Sequence, residues 1–243
     1  MRLRTGAKTN ERSNEEGIKF LFSSAIGYIF IAVFYVFAGF YFFATCLLRG
    51  YSTLSYVFNN MFAIAVFLVP ILTMRLWSEE KKQKTDQALF TAPVKLLPIV
   101  LGKYFAALII YAISLAIFLV FGLVISCFVT PEWSVIIGNL IGLFLLGAAL
   151  IAIGMFLSSL TENQVIAAVS GFAVGLVIMM LDSIGSLFSN TFLVSIFTNL
   201  SFNAHYTNFT TGLLNFVDVI FFLSVISVFV FLTVRVFEKK RWS

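Results

Sequence analysis

Six long apolar stretches occupy most of this sequence, and they limit its possible folds more than any other feature. Each holds about 20 mostly apolar residues, which is the length that an α-helix needs to cross the hydrocarbon layer of a membrane. Lipid offers no hydrogen-bonding partner to an unpaired backbone group, so each stretch is expected to cross as a helix. The predicted spans are residues 20–47, 57–74, 99–128, 135–157, 165–187 and 216–237.

The composition fits one membrane domain that uses nearly the whole chain. Of the 243 residues, 60% are hydrophobic and only 11% are charged, whereas soluble domains carry about 25% charged residues. No segment has the polar composition of a separate ATPase or receptor domain. The first apolar run exceeds the roughly 7 to 15 apolar residues of a signal peptide, so we expect it to remain as a span. The predicted fold class is an all-α integral membrane protein with six transmembrane helices in contact with membrane lipid.

The Lys and Arg residues fall almost entirely on one side of this predicted topology. Five precede or begin the first span, six lie from Arg75 to Lys103, four lie from Arg235 to Arg241, and only Arg49 falls on the other side. Cytosolic loops carry an excess of Lys and Arg, so the basic side is expected to face the cytosol. An even number of spans then places both termini there, in a multi-pass protein of the plasma membrane.

The polar segments divide the chain into seven parts. The predicted parts are a cytosolic tail with an interfacial connecting helix (1–19), spans one and two (20–74), a cytosolic loop (75–98), spans three to five (99–187), an extracellular or re-entrant segment (188–215), span six (216–237) and a cytosolic tail (238–243). The extracellular segment is half apolar and lacks Lys and Arg, which is typical of short helices that dip into a membrane surface. A packed extracellular linker is the alternative.

The cytosolic loop between spans two and three contains a charged segment with the pattern of a short helix. Ser78 is placed to cap the start of a helix, and the Glu79 and Glu80 carboxylates suit the positive end of its dipole. Glu80 and Lys84 have the i,i+4 spacing of a favourable helical ion pair, and Pro93 is a stop signal. We therefore predict a solvated helix that begins at Ser78 and lies against the membrane face.

The far end of this predicted helix is apolar. Ala88, Leu89 and Phe90 follow the charged residues, and a surface that docks on a partner would need such an end, whereas a solvated loop would not. A polar helix that merely links two spans is the alternative interpretation.

Few residues have the chemistry of a reactive site. His205 is the only histidine, and no metal-binding motif surrounds it, so a packing or hydrogen-bonding role is predicted. Cys46 and Cys127 fall near the outer ends of spans, where a disulfide is conceivable, although isolated cysteines usually behave as small buried hydrophobic residues. Asp182 and Asp218 flank the extracellular segment near span ends, where a carboxylate can reach water or a helix terminus.

The sequence does not predict an enzyme. It has neither a Gly-x-x-x-x-Gly-Lys-Ser/Thr phosphate loop nor a His-Glu-x-x-His metalloprotease motif. Ion-coupled carriers place ionisable side chains inside their spans, and these span interiors almost lack them. The basic residues line the membrane rim and do not form the patch that nucleic acid requires. We expect neither a metal nor an organic cofactor on this chain, and no nucleic-acid partner.

One region resembles a known family. Its residues are Glu79-Glu-Lys-Lys-Gln-Lys-Thr-Asp-Gln-Ala-Leu-Phe-Thr-Ala-Pro-Val94, followed by Leu101-Gly-Lys-Tyr104. These residues resemble the signature region of type-2 ABC transporter permeases, the membrane subunits of many bacterial exporters. The run Ser24-Ala-Ile-Gly-Tyr-Ile-Phe30 also resembles the first span of the gliding-motility-type branch.

This resemblance implies a fold, a function and partners. The fold would be a type-2 ABC exporter permease with a cytosolic coupling helix, and with re-entrant short helices between spans five and six. That helix would bind a separate cytosolic ATPase subunit, which would hold ATP and Mg. Two permease subunits, as a homodimer or heterodimer, would export a hydrophobic or amphipathic substrate. The implied coupling residues are Ser78, Glu79, Glu80, Lys81, Lys84, Thr85, Leu89, Phe90 and Pro93, with Arg75, Gly102 and Lys103 as levers at the span ends.

Two other function classes fit the same sequence. A non-transporting membrane anchor or sensory subunit could recruit an ATPase for the assembly of surface machinery. An ion-coupled carrier would need no ATPase at all. A copurifying ATPase would separate the first two classes from the carrier, and ATP-dependent substrate movement would separate the exporter from the anchor.

Overall fold

A computed structural model describes residues 25–51, 53–84, 96–186, 191–212 and 215–242, and regular structure within these ranges is helical. The predicted connecting helix in residues 1–19 lies outside them. The helices are α1 (Ala25–Phe42, extended by a π-helical turn, Phe43–Leu47), α2 (Ser55–Thr73), α3 (Ser78–Lys82), α4 (Leu96–Leu115), α5 (Ile117–Ser126), α6 (Trp133–Leu160), α7 (Gln164–Ser186), α8 (Thr191–Leu200), α9 (Phe202–Thr210) and α10 (Phe216–Trp242).

Within the described ranges, six helical segments are long and apolar enough to cross a membrane. They are Ile26–Leu47, Ser55–Lys82, Leu96–Ser126, Trp133–Leu160, Gln164–Leu181 and Phe216–Arg241. Each overlaps one predicted span, which confirms the prediction of an all-α chain with six such helices. The chain therefore has the architecture of a multi-pass membrane protein.

The connections between these helices alternate between two ends of the bundle. One end holds α3, the start of α4, the turn between α6 and α7, and the end of α10; we call it the basic end. Of the Lys and Arg residues that the structure describes, only Arg49 lies at the opposite end. The bundle thus keeps the charge asymmetry that the sequence predicts.

Helix α6 lies at the centre of the bundle and packs against α2, α4, α7, α9 and α10. Glycines allow two of these neighbours to approach closely, as small residues do in membrane helix packing. A Cβ atom at Gly147 would overlap the ring of Tyr111 in α4, and one at Gly154 would overlap Thr73 in α2. The Tyr111 hydroxyl donates a 2.9 Å hydrogen bond to the Leu143 carbonyl and so fastens α4 to α6.

The third predicted span is interrupted once. Ala116 separates α4 from α5, and its N–H donates to the Ile113 carbonyl at 3.1 Å, while Leu119 N–H donates to the Ala116 carbonyl at 3.1 Å. These are i to i−3 bonds, which tighten a helix locally. The sequence predicts a continuous helix here because every residue around Ala116 is apolar or small.

The segment between α7 and α10 contains two short helices, α8 and α9. This confirms the prediction of short helices there, and their depth in a membrane stays a prediction. Helix α9 packs against α2, α6 and α7. Phe209 lies over Gly142, where a Cβ atom would come within 2.6 Å of the Phe209 Cβ. Helix α9 is therefore part of the packed bundle at the opposite end.

Candidate functional site

The short helix α3 at the basic end carries four of the predicted site residues: Ser78, Glu79, Glu80 and Lys81. Acidic Glu79 and Glu80 lie in its first turn, and basic Lys81 and Lys82 lie in its last turn, the arrangement that the helix dipole favours. The helix ends at Lys82, and Lys84 has a left-handed backbone with φ of 57°. The prediction of one unbroken helix from Ser78 to Phe90 is therefore wrong at Lys84, and residues 85–90 lie outside the described ranges.

Several predicted coupling residues fall outside the described ranges. These residues are Thr85, Leu89, Phe90 and Pro93. Lys84 is described and exposed. Because α3 ends before Lys84, the continuous helix that would place it one turn after Glu80 is not present.

The predicted N-cap role of Ser78 is also wrong. Trp77 occupies the N-cap position, and the buried Ser78 hydroxyl donates backwards to the Met74 carbonyl. The side chain that receives the first N–H groups of α3 comes from α6: the Ser158 hydroxyl accepts from Trp77 N at 3.1 Å and Ser78 N at 3.2 Å. It also donates to the Met74 carbonyl at 3.1 Å, so Ser158 joins the end of α2 to the start of α3.

An interhelical ion pair joins α3 to α4. Lys103 Nζ lies 2.5 Å from Glu80 Oε1, with 14% and 24% of the two side chains exposed. The same ammonium donates to the Leu76 carbonyl at 2.8 Å and lies 3.8 Å from the centroid of the Trp77 ring. Lys103 therefore has three partners, two in the segment that connects α2 to α3 and one, Glu80, in α3 itself.

Lys81 faces the bundle, although the sequence places it on a solvated helix. Only 4% of this residue is exposed, and its ammonium donates to the Ser159 carbonyl at the end of α6. The ring of Phe237 in α10 lies 5.7 Å from this ammonium and 4.3 Å from the Trp77 ring. These contacts add α10 to the helices that hold α3.

The two remaining predicted levers lie close to the same helices. Arg75 Nε donates a 2.9 Å hydrogen bond to Gln164 Oε1 at the start of α7. Gly102 is buried in α4, one residue before Lys103. Arg75 thus ties the end of α2 to α7, and Lys103 ties α4 to α3.

These contacts form one cluster that attaches α3 to the helices around it. We call it the basic-end cluster, and its members are Arg75, Trp77, Ser78, Glu80, Lys81, Lys103, Ser158, Ser159, Gln164 and Phe237. The sequence did not predict that Ser158, Ser159, Gln164 and Phe237 belong to this site. The one sequence signal that could have indicated it is the Ser158-Ser159 pair beside a very short loop. In the described part of the chain, no group of three or more His, Cys, Asp and Glu residues is placed to hold a metal ion.

A second polar cluster lies at the opposite end. His205 Nδ1 lies 2.5 Å from Asp218 Oδ1, and Asn208 Nδ2 donates to Asp218 Oδ2 at 2.9 Å. Asp218 is 2% exposed and lies in the first turn of α10, so of the two expected environments it has the helix terminus and not water. The hydrogen-bonding role predicted for His205 is confirmed. The side chain of Asp182 lies outside the described part of the structure.

Tyr206 lies beside this second cluster and fastens α9 to α2. Its hydroxyl donates to the Phe58 carbonyl at 2.9 Å. Burial raises the pKa of the Tyr206 phenol well above its ordinary value, and the nearby Tyr111 adds to this effect. The hydroxyl therefore remains a hydrogen-bond donor at all physiological pH values.

The two cysteines are free thiols. Cys46 is half-buried, and its Sγ points towards the Thr53 carbonyl at 4.0 Å, whereas Cys127 is exposed. The conceivable disulfide between them is not formed.

Neither the models of known protein families nor the curated proteins give a match to this chain. The fold and the basic-end cluster define an all-helical protein with six helices able to span a membrane. In this protein a short polar helix is fastened at one end of the bundle to the helices around it.

Proposed function

We propose that this chain is the membrane permease subunit of an ATP-driven exporter of the type-2 ABC class. One observation carries the proposal: α3 continues directly from α2 and is fastened to α4, α6 and α10. The Glu80–Lys103 pair reaches α4, Ser158 reaches α6, and the contact between Trp77 and Phe237 reaches α10.

These contacts make α3 suitable for passing a mechanical load to the spans. Hydrogen bonds to charged groups contribute about 1.5 to 3 kcal/mol each, and leaving a buried partner unsatisfied costs about as much. Two such bonds attach this five-residue helix, from Lys103 to Glu80 and from Lys81 to the Ser159 carbonyl. The neutral Ser158 hydroxyl adds a third hydrogen bond, from the Ser78 N–H. A force on α3 would therefore move the attached helix ends before it detached α3 from the bundle.

The outer face of α3 provides a surface for a partner. Lys82, Gln83 and Lys84 are exposed, and Glu79 is half-buried. In the proposed exporter this face, together with residues 85–93, binds a cytosolic ATPase subunit that holds ATP and Mg. Two permease subunits assemble with two ATPases, and their substrate is hydrophobic or amphipathic.

The charge distribution supports the proposed orientation. The basic end carries the cations of α3 and of the last turn of α10, Lys239, Lys240 and Arg241. Cytosolic segments are enriched in Lys and Arg, so the basic end faces the cytosol of a bacterial plasma membrane. An ATPase subunit would then reach α3 without crossing the membrane.

The test is copurification of the tagged chain with its partners, followed by ATPase measurement in lipid vesicles. Glu79→Lys reverses a charge on the outer face of α3, whereas substitution of Glu80 would also break the internal pair with Lys103. We expect Glu79→Lys to lower permease-stimulated ATP hydrolysis severalfold. Glu132→Lys is the matched control, because it makes the same change at an exposed site at the opposite end.

The outcomes separate the three function classes. Absence of an ATPase from the purified complex would contradict both the exporter and the anchor and would favour an ion-coupled carrier. An ATPase that binds and responds to Glu79→Lys, without ATP-dependent movement of amphipathic dyes across the vesicle membrane, would favour the anchor. Equal ATPase activity in the Glu79→Lys and Glu132→Lys variants would contradict the assignment of α3.

A further inference from the structure

We propose that His205 and Asp218 form a proton-sensitive latch that holds α9 against α10 at the opposite end of the bundle. The latch does not depend on the proposed function, since it is argued from the contacts of these two residues alone. His205 belongs to α9, and Asp218 lies in the first turn of α10. The latch is closed when the His205 ring carries two protons.

The geometry around the imidazole favours the doubly protonated ring. Nδ1 faces the Asp218 carboxylate at 2.5 Å, and Nε2 faces the backbone carbonyl of Asn199 at 3.1 Å. A carboxylate and a carbonyl can only accept hydrogen bonds, and a neutral imidazole has one N–H to donate. The charged ring therefore satisfies both contacts, whereas the neutral ring places a lone pair against one of the two oxygens.

The other groups around the pair keep the Asp218 carboxylate in place. Its second oxygen accepts from Asn208 Nδ2 at 2.9 Å, so both oxygens are occupied when the group is ionised. The ring of Phe221 stacks on the imidazole with centroids 4.1 Å apart. The His205 side chain is 13% exposed, which leaves its edge open to protons from solution.

Few other titratable groups lie on the helices packed against α9. Helices α6 and α8 contain none, α2 contains Tyr56, and α7 contains Asp182. In α10, the charged residues other than Asp218 lie in its last two turns, at the basic end. Among the side chains that the structure describes, the carboxylate of Asp218 is the charged group that faces His205.

Opening of the latch would affect more than two side chains. Helix α9 also donates the Tyr206 hydrogen bond to α2 and packs Phe209 against α6. As the pH rises, His205 loses its positive charge, so the ion pair with Asp218 that attaches α9 to α10 weakens, and one of the two ring contacts, to Asp218 in α10 or to Asn199 in α8, loses its N–H. Low pH on the side of the membrane that this end faces would close it, and higher pH would loosen it.

The chain itself offers a direct measurement, because His205 is its only histidine. The protein, purified with a tag that lacks histidine and labelled with ¹⁵N-histidine, would give one pair of imidazole nitrogen signals. We expect both nitrogens to be protonated at the acidic end of the range of about pH 5 to 8 in which histidines generally titrate. A neutral ring across this whole range would overturn the proposal.

Hydrogen exchange of the α9 backbone measures whether the latch holds the helix. After correction for intrinsic exchange rates, we expect protection of residues 202–210 to fall about tenfold as His205 loses its proton. His205→Gln should abolish this pH dependence. Asn199→Ala is the matched control, because it leaves the Asn199 carbonyl in place, and it should retain the wild-type response. If the protection of residues 202–210 in the wild-type protein does not change across the histidine titration, the proposal is wrong. This result needs no variant.

Discussion

The Lys103 ammonium lies 2.5 Å from the Glu80 carboxylate and joins the start of α4 to α3. The two residues are far apart in sequence, and the chain between them includes the undescribed residues 85–95. Their pairing holds α3 against the start of α4. The proposal that α3 passes a mechanical load to the spans depends most directly on this contact.

A double-mutant cycle with Glu80→Gln and Lys103→Met should reveal a substantial interaction. Both side chains are largely buried, and removal of one leaves the other without its charged partner. We expect a coupling free energy of about 1 to 3 kcal/mol in thermal or chemical unfolding in detergent.

The exposed pair of Arg235 and Glu238 is the control for this cycle. Its atoms lie 2.8 Å apart, but 60% and 41% of the side chains are exposed. Solvent screening should reduce its coupling free energy to at most about 0.5 kcal/mol. Equal coupling in the two cycles would show that the Glu80–Lys103 pair is no stronger than a surface ion pair.

Ser158→Ala should loosen α3 because it removes the acceptor of two buried N–H groups. The expected loss of stability is about 1 to 3 kcal/mol, with faster hydrogen exchange at residues 77 and 78. Ser159→Ala is the adjacent control, since the Ser159 hydroxyl donates only to the Phe156 carbonyl one turn earlier, and its own carbonyl can still accept from Lys81. Similar losses in the two variants would argue against the capping role of Ser158.

Gly147→Ala should destabilise the bundle by forcing the Tyr111 ring away from α6. Overpacking of a filled core costs about 1 to 3 kcal/mol, and the Tyr111 hydrogen bond to Leu143 would be strained as well. Gly39→Ala in α1 is the control, because a Cβ atom there meets nothing within 4 Å. It should be neutral or stabilising, by up to about 1 kcal/mol, through better helix propensity. Circular dichroism melting in detergent compares the two, and an unchanged melting temperature in Gly147→Ala would contradict the packing argument.

Thiol labelling of intact cells tests the proposed orientation. Cys127 is exposed at the opposite end, so a membrane-impermeant maleimide should modify it from outside, whereas the half-buried Cys46 should react slowly. In a variant that lacks both native cysteines, Lys82→Cys should react only after the cells are permeabilised. Labelling of Lys82→Cys from outside would show that the basic end faces outward, and it would remove α3 from the reach of a cytosolic ATPase.

Local patterns predicted the helices well and their contacts poorly. An apolar run long enough to span a membrane has one favourable conformation in lipid, so six spans followed from the sequence alone. The short helices before α10 were also predictable from a half-apolar composition. The end of α3 at Lys82 was not, because the next two residues, Gln83 and Lys84, are good helix formers, and only the backbone of Lys84 marks the stop.

The partners of the polar residues depended on the tertiary structure. Ser78 has the sequence features of an N-cap, yet the cap came from Ser158, because α6 lies beside the connection from α2 to α3. Asp218 was expected to reach water or a helix terminus, and it lies at a helix terminus where α9 buries it against His205. A polar group pairs with whatever the packing of helices brings near it, and the nearest group in sequence is often on another face.

The sequence by itself thus determined the class of the protein: helices able to span a membrane, joined by polar turns, with the positive charge gathered on one side. Whether a segment is long and apolar enough to cross a membrane depends only on consecutive residues, so this information is local. Only the tertiary structure decided that Lys103 meets Glu80 and that His205 meets Asp218, because these pairs require close helix contacts such as that of Gly147 with Tyr111. The packing of α6 against its neighbours, and not the spacing of charges along the chain, sets which polar side chains can touch.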